Sequence, residues 1–286
     1  MLDFILQKIP AEIPITIATN AFFADKFHEF AKKFPARKIS IFVENSKNEN
    51  EKRGALLAFV DAFETRKIDD DILFLAGDNF FDFDLKKFLN AFDGAPLLAA
   101  FNIFEKNLAK KFGVVLPKKN SNFVAQFCEK PENPPSTLVS TGISILPKKL
   151  LKKISQFAQK NRDDFGKIFE HFLRSKISVK FFEFRGKWFD IGSFKNFLAA
   201  NSAILAGKNF LPKNLKTRNS QFLENCAIGE NCEIENSNLQ NCVVLQNAKI
   251  GNSNLQNCIV GKNATILNID LQTKILRDEI FIDGGF

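Results

Sequence analysis

"LFLAGDNFFDFDL", residues Leu73–Leu85, contains the strand-then-helix pattern that decides the fold. An apolar run ends at Gly77 and is followed by Asp78 and Asn79, and the next segment, "LKKFLNAF", has helical spacing. A buried strand followed by a helix is typical of α/β proteins. The Asp78 carboxylate could bind a ligand beyond the end of the strand, or it could cap the helix. Asp84 directly precedes the helical segment and is the better cap candidate.

The same alternation of strand and helix extends to both sides of this stretch. It predicts an α/β domain with a mostly parallel sheet. From about residue 120 the pattern loosens into short strands and loops. The predicted strands are Ile15–Thr19, Lys38–Glu44, Asp71–Gly77 and Ala95–Ile103, and the predicted helices are Asp25–Phe34, Gly54–Phe63 and Asp84–Phe92.

An internal repeat begins after about Pro212. "SNLQNCVV" (Ser237–Val244) returns sixteen residues later as "SNLQNCIV" (Ser253–Val260). A period this short favours a parallel β-helix, in which each coil has three short sides and each side points one aliphatic residue inward. We therefore expect two domains, residues 1–207 and 213–286. The repeating aliphatic series are Ile228, Val244 and Val260; Ile234, Ile250 and Ile266; and Leu223, Leu239, Leu255 and Leu271.

Three of the five cysteines, Cys226, Cys242 and Cys258, also share the sixteen-residue step and should stack in one corner. A metal site is one interpretation. Tetrahedral zinc, however, needs four ligands, and the only histidines, His28 and His171, lie outside this part of the chain. We expect small buried residues instead. An odd number of cysteines with no C-x-x-C pair predicts reduced thiols in the cytoplasm.

Composition excludes several other classes of protein. The 286 residues are 45% hydrophobic and 25% charged, with no apolar run long enough to span a bilayer and no signal peptide at the start. The net charge of +8 is spread among scattered lysines with acidic residues between them, which favours a solvated surface over a nucleic-acid site. Tyr is absent, so no phenol can act in catalysis. We expect no nucleic-acid and no membrane partner.

Four motifs in order carry a resemblance to a known family: "LFLAGDNFFDFDL", "FGVV" (Phe112–Val115), "FCEKPENPPSTLVSTGI" (Phe127–Ile143) and "KWFDIGSFKNFLAAN" (Lys187–Asn201). With the repeats, the chain resembles sugar-phosphate nucleotidyltransferases, in particular NDP-sugar synthases of the glucose-1-phosphate thymidylyltransferase kind. The resemblance implies a Rossmann-like domain and a C-terminal, left-handed β-helix of hexapeptide-like repeats. It also implies an enzyme that joins an NTP to a sugar 1-phosphate and releases pyrophosphate.

The resemblance assigns a role to charged residues of these motifs. Asp78 and Asp190 would be magnesium ligands, since Mg²⁺ takes one or two carboxylates together with phosphate oxygens. Glu129 would contact sugar hydroxyls, and Lys130 would bind the sugar phosphate and act in catalysis. Without the family, Glu129 and Lys130 would be interpreted as an ordinary surface pair.

Glycines in the same motifs are implied to face the substrates. Gly113 and Gly142 would let the sugar approach the backbone closely. Gly54 would abut the nucleotide base. Trp188 is expected to pack under the site.

One departure from the family pattern is large. No glycine-rich G-x-G-T-R-L loop occurs, and Met1 falls where the family is already entering its next helix, so roughly the first forty to fifty family residues are missing. Their strand is central in the family's sheet, so its absence should leave a gap or an exposed edge. Three explanations are open: the true start lies upstream, the missing piece is a separate polypeptide, or the chain is noncatalytic.

Two rival functions follow from the same features. The chain could be a noncatalytic regulatory or partner subunit that binds the sugar phosphate or nucleotide and forms a homo-oligomer through the β-helix. Acyl transfer is a further idea, because many β-helix proteins of this type transfer acetyl groups. Those proteins commonly use a histidine base, and the repeats here contain none.

Overall fold

The computed structural model describes residues 2–44, 54–163 and 165–285. The chain divides into two compact units, Met1–Trp188 and Phe189–Phe286. Within the described ranges, no helix has the length and apolar character needed to cross a membrane.

The first unit is an α/β structure in which every strand and helix predicted from the sequence is present. Its helices are α1 (Leu2–Lys8), α2 (Ala24–Lys32), α3 (Ala55–Thr65), α4 (Leu85–Asn90), α5 (Lys106–Ala109), α6 (Leu151–Ala158) and α7 (Lys167–Arg174), with 3₁₀ turns at Ala21–Phe23 and Lys148–Leu150. Its strands are β1 (Ile15–Asn20), β2 (Ile39–Glu44), β3 (Ile72–Leu75), β4 (Asn79–Phe81), β5 (Leu97–Asn102), β6 (Gly113–Pro117), β7 (Val124–Glu129), β8 (Leu138–Leu146) and β9 (Lys180–Phe184); β10 (Trp188–Asp190) begins at the unit's last residue.

The main sheet is mixed, which corrects the expectation of a mostly parallel one. Strand β8 runs antiparallel to all three strands that pair with it, β3, β5 and β6, and β6 and β7 form an antiparallel pair. Parallel pairs in this unit are β5 with β9 and β1 with β2. The strand–helix alternation that predicts parallel strands stops before β6, and the antiparallel strands come from the later part of the unit.

Strands β1 and β2 form a two-stranded sheet of their own. Within the described residues, β1 pairs only with β2 and β3 pairs only with β8, so each has one open edge. None of the four residues of β3 is fully buried, although Leu73 and Leu75 contact the same apolar cluster as Ile15 of β1. The expected open edge is therefore present in this structure.

Helices cover both sides of the main sheet. On one side α3 and α6 form an apolar cluster that includes Leu56, Val60 and Ile154, all fully buried. On the other side α1 and α4 supply Ile5 and Phe88 to a second cluster. Residues of β3 pack against both clusters, which fixes the position of this strand.

Helix α4 is capped by Asp84, as the sequence predicts. The side chain of Asp84 accepts a hydrogen bond from the Lys86 amide, at 2.9 Å. Capping of α4 therefore does not explain Asp78.

The second unit contains helix α8 (Phe194–Leu205) and a three-sided parallel β-helix. Each side is a ladder of short parallel strands, as the repeat predicts. We name the sides by their outward residues. The charged face is Lys216–Arg218, Glu233–Glu235, Lys249–Gly251, Thr265–Leu267 and Phe281–Asp283; the amide face is Gln221–Phe222, Asn238–Gln240, Asn254–Gln256 and Leu271–Gln272; the apolar face is Ala227–Ile228, Val243–Val244, Ile259–Val260 and Ile275–Leu276.

The predicted aliphatic columns fill the interior of the β-helix, with one exception. Ile234, Ile250 and Ile266 are stacked in register and are at most 2% exposed. Leu223 was expected to begin the leucine column, but it is 51% exposed. Phe222 pairs with Leu239 instead, because the first coil is one residue longer than the others on this side.

Asparagine ladders hold the corners of the coils. Asn236, Asn252 and Asn268 have positive φ angles of 47°, 49° and 54°, a conformation that Asn tolerates better than most residues. Their side-chain amides are hydrogen-bonded from coil to coil, at 3.0 and 2.9 Å. The repeated asparagines therefore serve both the turn and the stacking.

The cysteine column occupies another corner. Cys226, Cys242 and Cys258 are fully buried, and each thiol contacts a leucine carbonyl oxygen of the next coil, at 3.3 to 3.5 Å. Burial raises the pKa of the Cys226 thiol. The contacts are those of small side chains stacked in a core.

Candidate functional site

Asp78 lies in the turn between β3 and β4, exposed at the carboxyl end of the strand. Its Oδ1 accepts a hydrogen bond from Asn79 Nδ2, at 2.9 Å. Asn79 is 5% exposed, and its Oδ1 accepts from the indole Nε1 of Trp188, at 2.6 Å. The buried indole thus fixes the amide, and the amide orients the carboxylate.

Gly142 of β8 lies beside this turn. Its carbonyl oxygen accepts from the Ala76 amide at 3.0 Å, and its φ angle is +71°. A Cβ at this position would lie 3.1 Å from the Ala76 side chain and 3.6 Å from Asn79 Nδ2. The left-handed backbone conformation favours glycine at this position, and a Cβ there would also approach Ala76 closely.

Gly113 and Glu129 form a second group of predicted site residues. They are paired across the β6–β7 ladder, and a Cβ on Gly113 would lie 2.9 Å from Glu129 Oε2. The Glu129 side chain is 12% exposed, and its Oε1 lies 3.9 Å from Nζ of Lys130, whose side chain is 59% exposed. A mostly buried carboxylate therefore lies next to an accessible ammonium.

Lys130 adopts a left-handed backbone conformation, with φ of +46°, which is uncommon for a residue with a side chain. Its amide donates to the carbonyl oxygen of Phe112, at 3.1 Å. The Phe112 ring in turn contacts Trp188, with 5.1 Å between ring centroids. Phe112 and Trp188 therefore connect the Glu129–Lys130 pair to the Asp78 turn through direct contacts.

The two remaining predicted site residues are Gly54 and Asp190. Gly54, with φ of +88°, precedes α3, and a Cβ there would overlap the carbonyl oxygen of Arg162. Asp190 belongs to the second unit, where its Oδ1 accepts from the Gly192 amide at 3.1 Å. The contact of Gly54 with a base and the sharing of a metal by Asp78 and Asp190 stay predictions.

Four residues of the site were not foreseen as functional. Asn79 follows Asp78 and Phe112 precedes Gly113 in the motifs, so their position next to predicted site residues is a sequence signal for a role in the site. Gly166 and Glu170 carry no such signal, because they lie about forty residues from Glu129 in the sequence. The fold brings them together: Glu170 Oε1 accepts from the Glu129 amide at 2.8 Å, and a Cβ on Gly166 would overlap the Glu129 carboxylate.

The chemistry of this arrangement suits an anionic, hydroxyl-bearing ligand. Lys130 offers a positive charge, and Glu129 offers an acceptor for hydroxyl groups. Among the described residues, no group of three or more His, Cys, Asp and Glu side chains is arranged to hold a metal. Magnesium does not need such a group, since phosphate oxygens and waters commonly complete its shell.

Comparisons with known proteins agree with this chemistry. Residues 2–207 match the family model of the nucleotidyl transferases. Glucose-1-phosphate adenylyltransferase from Clostridioides difficile (strain 630) is 28% identical over 190 residues, which are 63% of this chain and 48% of that protein. The chain therefore spans about half the length of this relative.

A solved structure has the same fold. It is a Bacillus anthracis protein assigned as a glucose-1-phosphate thymidylyltransferase, matched with a TM-score of 0.55 at 19% identity over 65% of this chain and 74% of that one. Because the family match covers most of the chain and includes the Asp78, Gly113 and Glu129–Lys130 motifs, the protein belongs to the nucleotidyl transferase family.

Proposed function

We propose that the protein takes part in nucleotidyl transfer from an NTP to a sugar 1-phosphate, giving an NDP-sugar and pyrophosphate. The observation that carries the proposal is the Glu129–Lys130 pair, held in a left-handed turn beside Gly113 and connected through Phe112 and Trp188 to Asp78. Lys130 would bind the sugar phosphate, and Glu129 would accept from sugar hydroxyls. Gly113 makes room for the Glu129 carboxylate, since a Cβ there would lie 2.9 Å from its Oε2. We propose that the sugar approaches the backbone at Gly113 and Gly142.

Transfer of a nucleotidyl group depends mainly on positioning and on neutralising phosphate charge. The sugar-phosphate oxygen would attack the α-phosphorus of the NTP in line, and pyrophosphate would leave from the opposite side. Lys130 would screen the two anionic substrates from each other. Gly54 would face the base of the nucleotide.

We propose Mg²⁺ as the cofactor, and the donors fit it. Asp78 and Asp190 supply hard carboxylate oxygens, and the Asn79 amide fixes the orientation of Asp78. When bound, the ion would neutralise negative charge on the phosphates.

The metal proposal predicts that Asp78→Asn weakens Mg²⁺-dependent nucleotide binding about tenfold or more, because a carboxylate ligand is lost while the shape is nearly kept. Asp190→Asn should behave alike. Calorimetric titration with ATP and dTTP, with and without Mg²⁺, measures the effect, and an unchanged melting temperature shows that the fold is intact.

Asp25→Asn is the matched control, because Asp25 is an exposed residue of α2. It should bind like the wild type. Equal binding by wild type and Asp78→Asn would contradict the metal role. Carboxylates of Asp78 and Asp190 more than about 10 Å apart in a metal-bound crystal structure would contradict a shared ion, since Mg²⁺–oxygen bonds are about 2.1 Å long.

A second candidate is a noncatalytic regulatory or partner subunit that binds the sugar phosphate or nucleotide. The open edges of β1 and β3 favour this candidate, because the unpaired backbone groups of an edge can bind a strand of a partner polypeptide. A glycine-rich segment, either preceding this chain or supplied as a separate polypeptide, could pair with those edges and bring amide donors to the end of β3. Pyrophosphate release with and without that segment separates the two candidates. The free thiols agree with a cytoplasmic location for either.

We further propose that the β-helix mediates homo-oligomerisation through its apolar face. Ala227, Val243, Ile259 and Ile275 form a column in register; Ile275 is 59% exposed, Ala227 and Ile259 are half-buried, and Val243 is 7% exposed. The charged face instead carries ion pairs such as Lys216–Glu233. A regular apolar column can pair with the same column of a second copy around a two-fold axis.

Ile275→Glu is therefore expected to lower the mass of the oligomer, because it places a charge in the proposed contact. Deleting the residues after about Pro212 should do the same. Light scattering after size exclusion measures the mass, and Gln272→Glu on the amide face is the control. A wild-type chain that is already monomeric would contradict the proposal.

A further inference from the structure

The main chain at Glu129 and Lys130 is fixed at two consecutive amides. The Glu129 amide donates to Glu170 Oε1 at 2.8 Å, and the Lys130 amide donates to the Phe112 carbonyl oxygen at 3.1 Å. Between these bonds the chain turns into the left-handed conformation, with φ of +46° at Lys130. A residue with a side chain keeps such a conformation only where surrounding contacts hold it.

Helix α7 supplies part of this support. Glu170 lies in its first half, and Gly166 directly precedes it. A Cβ on Gly166 would overlap the Glu129 carboxylate, so that side chain lies against the Gly166 backbone. The helix therefore contacts Glu129 twice, at the side chain through Gly166 and at the main chain through Glu170.

The alternative is that Glu170 serves only to stabilise the helix, through its ion pair with Arg174. That pair uses the other carboxylate oxygen, Oε2, at 3.3 Å from Nη2, and the Arg174 side chain is 81% exposed. Exposed pairs one helical turn apart contribute little to stability. The ion pair therefore does not account for the bond from Oε1 to a residue 41 positions earlier.

We infer that Glu170 is a positioning residue for the sugar-phosphate site: it holds the end of β7 so that Glu129 and Lys130 present their side chains together. The inference rests on the proposed function of that pair. A loss of the Oε1 bond frees the Glu129 amide and lets the turn at Lys130 relax. Displacement of binding groups by about 1 Å can cost on the order of a hundredfold in catalysis.

The test compares three variants of the 286-residue chain in calorimetric titrations with glucose 1-phosphate. Glu170→Ala is expected to raise the Kd about tenfold or more. Glu170→Gln should stay within about threefold of wild type, because its amide oxygen can accept the same bond. Arg174→Ala, which removes only the ion pair, should bind like wild type.

Rescue by glutamine separates positioning from stability, since Glu170→Gln and Arg174→Ala both lose the ion pair. Wild-type affinity in Glu170→Ala would overturn the inference, and so would an equal loss in Glu170→Gln. Gly166→Ala is a fourth variant, which acts on the Glu129 side chain. Gly166 has a φ angle of −61°, so alanine adds only the Cβ that displaces the Glu129 carboxylate, and weaker binding is expected.

A second measurement keeps the inference testable if the proposed function fails. If the wild-type chain does not bind glucose 1-phosphate, hydrogen exchange at the Glu129 amide still reports the bond. Exchange should be faster in Glu170→Ala than in wild type and unchanged in Glu170→Gln. Equal exchange in all three proteins would overturn the positioning role by itself.

Discussion

Replacing Lys130 by alanine is expected to abolish most of the chain's binding to a hexose 1-phosphate. Hydrogen bonds to charged groups contribute about 1.5–3 kcal/mol, which corresponds to a loss of roughly ten- to a hundredfold in affinity. The left-handed turn is no more strained with alanine than with lysine, because both have a Cβ. The loss should therefore come from the ammonium and not from the backbone.

The effect is measured by calorimetric titration with glucose 1-phosphate, and Lys152→Ala is the matched control. Lys152 is an exposed lysine of α6 outside the candidate site, so its removal lowers the net charge by the same amount. The control should bind like wild type. Equal, small losses in both variants would mean that general charge attracts the ligand and that Lys130 has no special role.

Ile250→Ala is expected to destabilise the second unit by about 2–5 kcal/mol, the range for removing a buried aliphatic side chain. Ile250 is 2% exposed and stacks between Ile234 and Ile266, in the middle of its column. The cavity left by the substitution would remove van der Waals contacts with the side chains of both neighbouring coils. Urea unfolding followed by circular dichroism gives the change.

Lys249→Ala is the control on the same strand. Its side chain points outward and pairs with Glu233 at 3.3 Å, with 60% of the lysine side chain exposed, so its loss should cost no more than about 1 kcal/mol. A similar effect of both variants would contradict the assignment of Ile250 to the interior. It would also contradict the three-sided register derived from the sixteen-residue period.

Much of the fold follows from patterns that the sequence carries locally. Segments such as Ile72–Leu75 and Ala55–Thr65 have the length and apolar spacing of a strand and a helix, and the repeat specifies a stacked β-helix without further information. The antiparallel direction of β8 does not follow, because direction is set by pairing between distant segments. The prediction that Leu223 faces the interior is wrong for a similar reason. One extra residue in the first coil moves Leu223 outward, and Phe222 takes the inward position.

The candidate site likewise contains residues that local sequence motifs predict and residues that only the folded structure reveals. Glu129, Lys130, Gly113 and Asp78 could be predicted because they stand in motifs that resemble a family, and the first unit brings the first three into direct contact. Glu170 could not be predicted, since its bond to the Glu129 amide depends on how α7 packs against β7. Sequence motifs indicate the residues that we propose to contact a ligand, whereas the residues that hold them in place depend on tertiary packing.

The most direct test of the account is a pyrophosphate-release assay with glucose 1-phosphate, an NTP and Mg²⁺. The 286-residue chain alone should release pyrophosphate slowly or not at all, because it carries the proposed sugar-phosphate groups but no glycine-rich G-x-G-T-R-L loop for the triphosphate. Adding such a loop segment, fused or in trans, should restore turnover. Turnover by the chain alone within the usual range of about 1–10³ per second would contradict the account. So would an absence of turnover after the segment is added.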